Sequence, residues 1–248
     1  MITLSEISKR YGDALSVDHV QLDVPAGHIH GVLGGSETET ATLLRTVNLP
    51  QRPDSRIGAV SRHVHLLYNR NVAANVALPL KLSGVGKAES DARTAELLEL
   101  VGLTDHAKKH PSQLTSGQRQ RVAIARALAP RPEVLLCDEA TADLDAYDTL
   151  DVLSLLVRLR DELGLSILII TGEIDVITCV ADSASVLEDG RVVEQGGVSE
   201  LLSRPGSRFA AQAFTSGDSL GHADVVEATF AAALEELALS TPCLEAGR

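Results

Sequence analysis

An apolar strand that runs straight into two adjacent acids constrains this chain more than any other feature. Residues 134–137, Val-Leu-Leu-Cys, are bounded by turn residues and lead into Asp138 and Glu139. A short apolar run of this kind is buried on both faces, as in a mostly parallel sheet covered by helices. In such sheets, acids delivered at the C-terminal edge hold magnesium or act as a general base. Just upstream, Thr115-Ser116-Gly117-Gln118 is a polar turn that opens a helical pattern over 117–129, with Val122, Ala125 and Leu128 on one face. The turn is expected to leave free backbone N–H groups at the helix start, a place that attracts phosphate. Two acids at a strand end are by themselves an ordinary turn. A turn-led helix at this spacing leaves little room for that reading.

The rest of the chain alternates strands and helices. Val20, Leu22 and Val24 alternate with polar residues before a turn at Pro25-Ala26-Gly27. A second apolar run, 29–33, ends in Gly34-Gly35, and a short helix is expected through Leu43, Leu44 and Val47, stopping before Pro50 and Pro53. Residues 57–61 read as a strand. The pattern over 71–110 is helical, with Ala95, Leu97, Leu98 and Val101 close to a 3.6-residue period. Residues 146–163 form a long helix ended by Gly164, and 166–171 an apolar strand. Residues 186–188 and 192–193 form a hairpin around Asp189-Gly190. The stretch 71–128 interrupts the α/β alternation as an inserted helical subdomain. Gly84-Val85-Gly86-Lys87 reads as an ordinary loop. Residues 216–218 are loop-like, and 223–239 form an amphipathic helix packed on the body.

Composition narrows the classes further. The 248 residues suit one large domain with a small appendage, and 44% hydrophobic residues build a core. With three Phe, three Tyr and no Trp, that core is aliphatic. A formal net charge of −12 argues against a nucleic-acid partner, whose phosphates need clustered Lys and Arg. Cys137, Cys179 and Cys243 give no zinc pattern and no even disulfide set, which fits a reducing compartment. The N-terminus has no apolar leader, and no run reaches the roughly 20 apolar residues that cross a bilayer.

The segment 114–128, followed by Asp138-Glu139 and Leu144-Asp145, resembles the signature, Walker B and D-loop of ABC ATPases, and the resemblance runs from about residue 2 to about residue 209. Cys137 before the acids, with VAANVALPL at 72–80, is similar to the methionine-importer subgroup. The resemblance implies an α/β, ABC-type P-loop NTPase fold. It has a mostly parallel core sheet, an inserted helical subdomain and a reduced antiparallel subdomain. It divides the chain into a nucleotide-binding domain over 1–209 and a short helical extension over 210–248. It implies ATP and magnesium as cofactors, a transmembrane permease and a second ABC subunit as partners, and a peripheral place on the cytoplasmic face of the plasma membrane. Position by position, Tyr11 matches the aromatic that stacks on adenine. Asp138 matches the acid that holds magnesium through water, and Glu139 the base that activates water. Thr115, Ser116, Gly117 and Gln118 match the signature that closes over a γ-phosphate bound by the partner. Asp145 matches the D-loop acid at the dimer seam, and 71–82 the region beside the groove for the permease's coupling helix.

The phosphate loop departs from the family's G-x-x-x-x-G-K-[ST] pattern. Gly34 and Ser36 stand in the loop, but its second glycine is Glu39, its lysine Thr40 and its magnesium-binding hydroxyl Ala41, while Thr42 matches the threonine that follows. Thr40 does not neutralise phosphate charge, and Ala41 offers magnesium no oxygen. Glu37 and Glu39 add negative charge where a tetraanion belongs. One like-charge contact at 4 Å costs about 4 kcal/mol at an effective dielectric near 20, roughly a thousandfold in affinity. The Q-loop glutamine is Arg62, the switch histidine is Gly172, and Ser116 replaces a glycine of the signature. The span from phosphate loop to Arg62 is also shorter than the family's. Four readings stay open. The chain is a transport ATPase, a catalytically impaired subunit that lends its signature to a partner's ATP site, or a decayed copy. An ABC-like regulator with no membrane partner is a further reading.

Overall fold

The computed structural model describes residues 2–11, 14–34, 42 and 57–216. Among the described residues, six strands build one sheet in the order β4 (Ile57–Ser61), β5 (Val134–Asp138), β6 (Ser166–Thr171), β3 (Ile29–Gly34), β7 (Ser183–Glu188) and β8 (Arg191–Gly197). Neighbours run parallel except β8, which returns antiparallel to β7. β6 is buried along its whole length and β3 at every residue before Gly34, as interior strands of a parallel sheet must be when both faces are covered. Asp189 and Gly190, at φ 49° and 75°, supply the two left-handed residues that a tight β7–β8 hairpin requires.

Alternate residues of β5 and β6 sort to two cores. Leu135, Cys137, Ile167 and Ile169 join one cluster with the helices. Val134, Leu136, Leu168 and Ile170 join the other with Val17, Val20, Leu22 and Val24. Those last four belong to β2 (Ala14–Val24), which pairs antiparallel with β1 (Ile2–Tyr11) in a separate two-stranded sheet. This sheet is tied to the β7–β8 turn: the Asp18 backbone N–H donates to Gly190 O at 2.8 Å, and the Asp18 carboxylate accepts from Arg191 Nε at 2.8 Å. His30, fully buried on β3, spends both ring nitrogens on β7: Nδ1 lies 2.7 Å from Ser183 Oγ and Nε2 2.9 Å from Ser185 Oγ. Burial pushes its pKa down to about 4.

Between β4 and β5 come α1 (Val72–Val76), α2 (Leu78–Leu82), α3 (Lys87–Leu100) and α4 (Ser116–Leu128). Asn71 caps α1, its Oδ1 accepting from Ala74 N at 2.8 Å. Buried Asn75 is spent on the preceding loop, accepting from Leu67 N at 2.7 Å and donating to Leu67 O at 3.1 Å. After β5 the chain forms α5 (Ala146–Leu163), α6 (Ile174–Val180), α7 (Val198–Ser203) and α8 (Arg208–Ser216). The expected long helix and the strand after it have the bounds read from the sequence, and Gly164 ends the helix at φ 63°.

Three expectations are corrected. Ala95 is exposed, and the buried face of α3 is Ser90, Arg93, Thr94, Leu97 and Leu98. Arg93 lies on that face because its stem packs while its guanidinium reaches Glu96 at 2.6 Å and Leu128 O at 3.1 Å. Lys87 is not loop but the first residue of α3, with Nζ 2.8 Å from Asp91. Ser216 is the last residue of α8, a helix that runs across residue 209 and buries Phe209 and Ala210. The helix read through Leu43, Leu44 and Val47 and the one read over 223–239 lie outside the described residues. Among the described residues, no helix is long and apolar enough to cross a membrane.

Candidate functional site

β5 pairs with β4 on one side and β6 on the other, so its end falls at the C-terminal edge of the sheet, with Asp138 opposite Ser61 and Ile170. Glu139 leaves the strand at φ 49°, a left-handed conformation uncommon for a non-glycine residue, while its N–H donates to Ile170 O at 2.9 Å. That turn carries the carboxylate to the end of β6, where Oε1 accepts the Gly172 N–H at 3.1 Å. Two residues 33 apart in sequence thereby meet at the crevice where open α/β sheets bind ligands. A Cβ built on Gly172 would lie 4.0 Å from Glu139 Oε1, so position 172 has room for a side chain.

Asp138 is half-buried. Burial first, and then the Glu139 charge, push its carboxyl above the usual range. A nearby dication would reverse that shift. The donor set therefore suits magnesium held in its usual manner, by one carboxylate together with phosphate oxygens. Among the described residues, no group of three or more His, Cys, Asp or Glu side chains is gathered to hold a metal ion unaided.

Helix α4 is reached through a complete capping box. Thr115 Oγ1 accepts from Gln118 N at 3.2 Å, and Gln118 Oε1 accepts from Thr115 N at 3.1 Å. The Gly117 N–H donates to Asp148 Oδ2 at 2.9 Å. Two of the N–H groups expected free at this helix start, those of Gly117 and Gln118, are therefore spoken for. Gly117 sits so close that a Cβ there would stand 2.3 Å from Asp148 Cγ. Asp148 is placed by Asp145, the N-cap of α5, whose Oδ1 accepts from Asp148 N at 2.8 Å. The starts of α4 and α5 are thus bonded together, and Asp145, Asp148 and Gly117 share one seam.

Arg62 follows β4. Its backbone N–H donates to Asp138 O at 2.7 Å, and its guanidinium makes a two-pronged contact with Asp143, Nε to Oδ2 at 3.0 Å and Nη2 to Oδ1 at 2.6 Å. Arg62 holds the Asp143 carboxyl below the usual range. Gly34 ends β3, and Thr42 is buried. Tyr11 ends β1 opposite Ala14; its side chain, with Ser36, Glu39, Thr40 and Ala41, lies outside the described residues. Ser116 opens α4, with Oγ 3.5 Å from Arg119 Nη2. Sequence reasoning missed Asp143 and Asp148. The second had a signal, an acid three residues after a capping acid at a helix start. The first had none, because its partner lies 81 residues away.

Comparison with known proteins places the chain among ABC ATPases. The family model described as ABC transporter matches residues 17–142. The methionine import ATP-binding protein MetN of Caulobacter vibrioides is 45% identical over 235 residues, covering 85% of this chain and 71% of that protein. Its counterpart in Thermobifida fusca is 44% identical over 251 residues, covering 89% and 78%. Among solved structures, cbiO1 from Clostridium perfringens, part of the ABC transporter complex cbiONQ, aligns with a TM-score of 0.75 at 25% identity, covering 88% of this chain and 94% of that one. The ATP-binding cassette MJ0796, in a dimeric post-hydrolysis state bound to ADP and Pi, aligns at 0.68 with 27% identity, covering 80% and 99%.

Proposed function

Because the chain belongs to the ABC transporter family, we propose that it is the ATP-binding subunit of an importer whose solute is methionine. In this reading it sits on the cytoplasmic face of the membrane, docked on a permease through the region around 71–82 and paired head to tail with a second ABC subunit. The observation that carries the reading is the meeting of Glu139 with the Gly172 N–H beside half-buried Asp138. It is supported by the names of the relatives and by the nucleotide-bound dimer of MJ0796.

The roles follow from where each residue stands. Asp138 would hold magnesium, which when bound neutralises phosphate charge. Glu139 takes the proton of the attacking water, its carboxylate aimed by the Gly172 N–H. Tyr11 stacks on adenine, and Gly34, Ser36 and Thr42 belong to the loop at the phosphates. Thr115, Ser116, Gly117 and Gln118 face the nucleotide of the partner across the seam marked by Asp145.

A second reading is favoured by particular residues: the chain completes a partner's ATP site while its own turns over little. Thr40 and Ala41 offer no phosphate or magnesium ligand of the usual kind, Gly172 brings no imidazole to Glu139, and Arg62 is engaged with Asp143.

Titration of the purified chain with Mg-ATP tests the first reading. Turnover is expected and falls at least about a hundredfold in Glu139→Gln; no turnover above background overturns it. Weak binding restored by Glu39→Gly, Thr40→Lys and Ala41→Ser together would place the defect in the loop alone. For the second reading, an intact ABC subunit hydrolyses ATP faster when this chain is present, and Gly117→Asp removes the gain. A decayed copy gives no gain in either form.

A further inference from the structure

We propose that Arg62 and Asp143 are a positioning pair: together they fix the loop between Asp138 and Asp145, and so the head of α5 that meets the signature turn. The loop leaves β5 after Asp138 and re-enters regular structure at Ala146, capped by Asp145. Inside it run two short turn bonds, Ala142 N–H to Glu139 O at 3.3 Å and Leu144 N–H to Thr141 O at 3.0 Å. Arg62 grips it at its middle, with two donors of a planar fork on both oxygens of one carboxylate. The same residue is rooted at the other end of the loop through its N–H on Asp138 O. It therefore spans from the end of β5 to Asp143, two residues before the cap of α5. From there the connection continues through Asp145 and Asp148 to the Gly117 N–H.

A glutamine at position 62 has a shorter side chain and no charge, so it makes no such two-point ion pair. The departure from the family's pattern at this position thus carries its own structure: the side chain that replaces the glutamine holds the loop in place. For its effect on a partner's nucleotide, the inference rests on the subunit reading above. For its effect on the loop, it stands on the chain alone.

Amide hydrogen exchange on the full-length chain tests it. The Ala142 and Leu144 amides are expected to exchange about threefold faster in Arg62→Gln and in Asp143→Asn, the size of an exposed ion pair. The double variant should exchange no faster than either single one, and the swap Arg62→Asp with Asp143→Arg should restore protection. Unchanged exchange in the single variants, or effects that simply add, overturns the proposal. The partner assay separates the two claims. Stimulation that drops in the single variants and returns in the swap supports positioning, whereas full stimulation in variants whose loop has loosened overturns it. If the wild-type chain gives no stimulation while the exchange pattern holds, the subunit reading falls and the pair's hold on the loop stands.

Discussion

The two ends of the segment from Asp138 to Asp148 are built on opposite principles. At the far end each acid has a donor that fixes it: Asp143 holds Arg62, Asp145 caps α5, and Asp148 takes the Gly117 N–H. At the near end the acids act on one another. Burial and the Glu139 charge raise the Asp138 carboxyl, and Glu139 itself meets a backbone N–H. The far end spends its charge on shape. The near end keeps charge in a state that a bound cation or a proton would relieve, as expected of a site for chemistry.

On this contrast, changes at the far end weaken the fold and a change at the near end strengthens it. The largest effect is expected for Gly117→Ala. Its methyl would stand 2.3 Å from Asp148 Cγ, and the strain should outweigh the ~1 kcal/mol that alanine gains over glycine in a helix, for a net loss of about 2 kcal/mol. A urea midpoint equal to wild type would break the comparison. Next comes Asp148→Ala, which strands the Gly117 N–H and should cost about 1.5 kcal/mol by the same measurement. Asp145→Ala removes only a helix cap and should cost about 1 kcal/mol; a loss as large as that at Gly117 would mean the cap holds more than its own helix.

The smallest effect has the opposite sign. The folded state of Asp138 holds its proton more tightly than the unfolded chain, so ionisation penalises folding. That penalty is absent below the ordinary carboxylate pKa and fully present once pH exceeds the raised folded value. Asp138→Asn should therefore raise Tm slightly at neutral pH without nucleotide, with the gain fading in acid. A fall in Tm at neutral pH would place Asp138 with the shape-holding acids instead.

Much of this was legible in the sequence where local signals agreed. Residues 146–163 have an acid cap, a 3.6-residue apolar period and a terminal glycine, and 166–171 is long enough and apolar enough to be nothing but a buried strand. The helix Ile174–Val180 was not legible: it has seven residues, and Glu173 makes no side-chain cap bond. The face of α3 was misread at Ala95 because apolar counting passes over an arginine whose stem packs, as Arg93 does. The acids at 138–139 were found because they end an apolar strand. Their relation to Gly172 depends on β5 and β6 lying side by side, and that of Arg62 to Asp143 on where the chain goes after β4. No spacing along the chain encodes either pairing.

One consequence concerns the residue just before the acids. Cys137 is completely enclosed, and its thiol is pushed up to about 12, by burial first and then by the Asp138 charge. At neutral pH it is sealed and protonated, so alkylating reagents find no thiolate to attack while the strand stays seated. With half-exposed Cys179 and Cys243 replaced by serine, the chain would carry a single latent tag at the foot of its acid pair. The pace at which that tag takes up label would time how often the centre of the sheet breathes open.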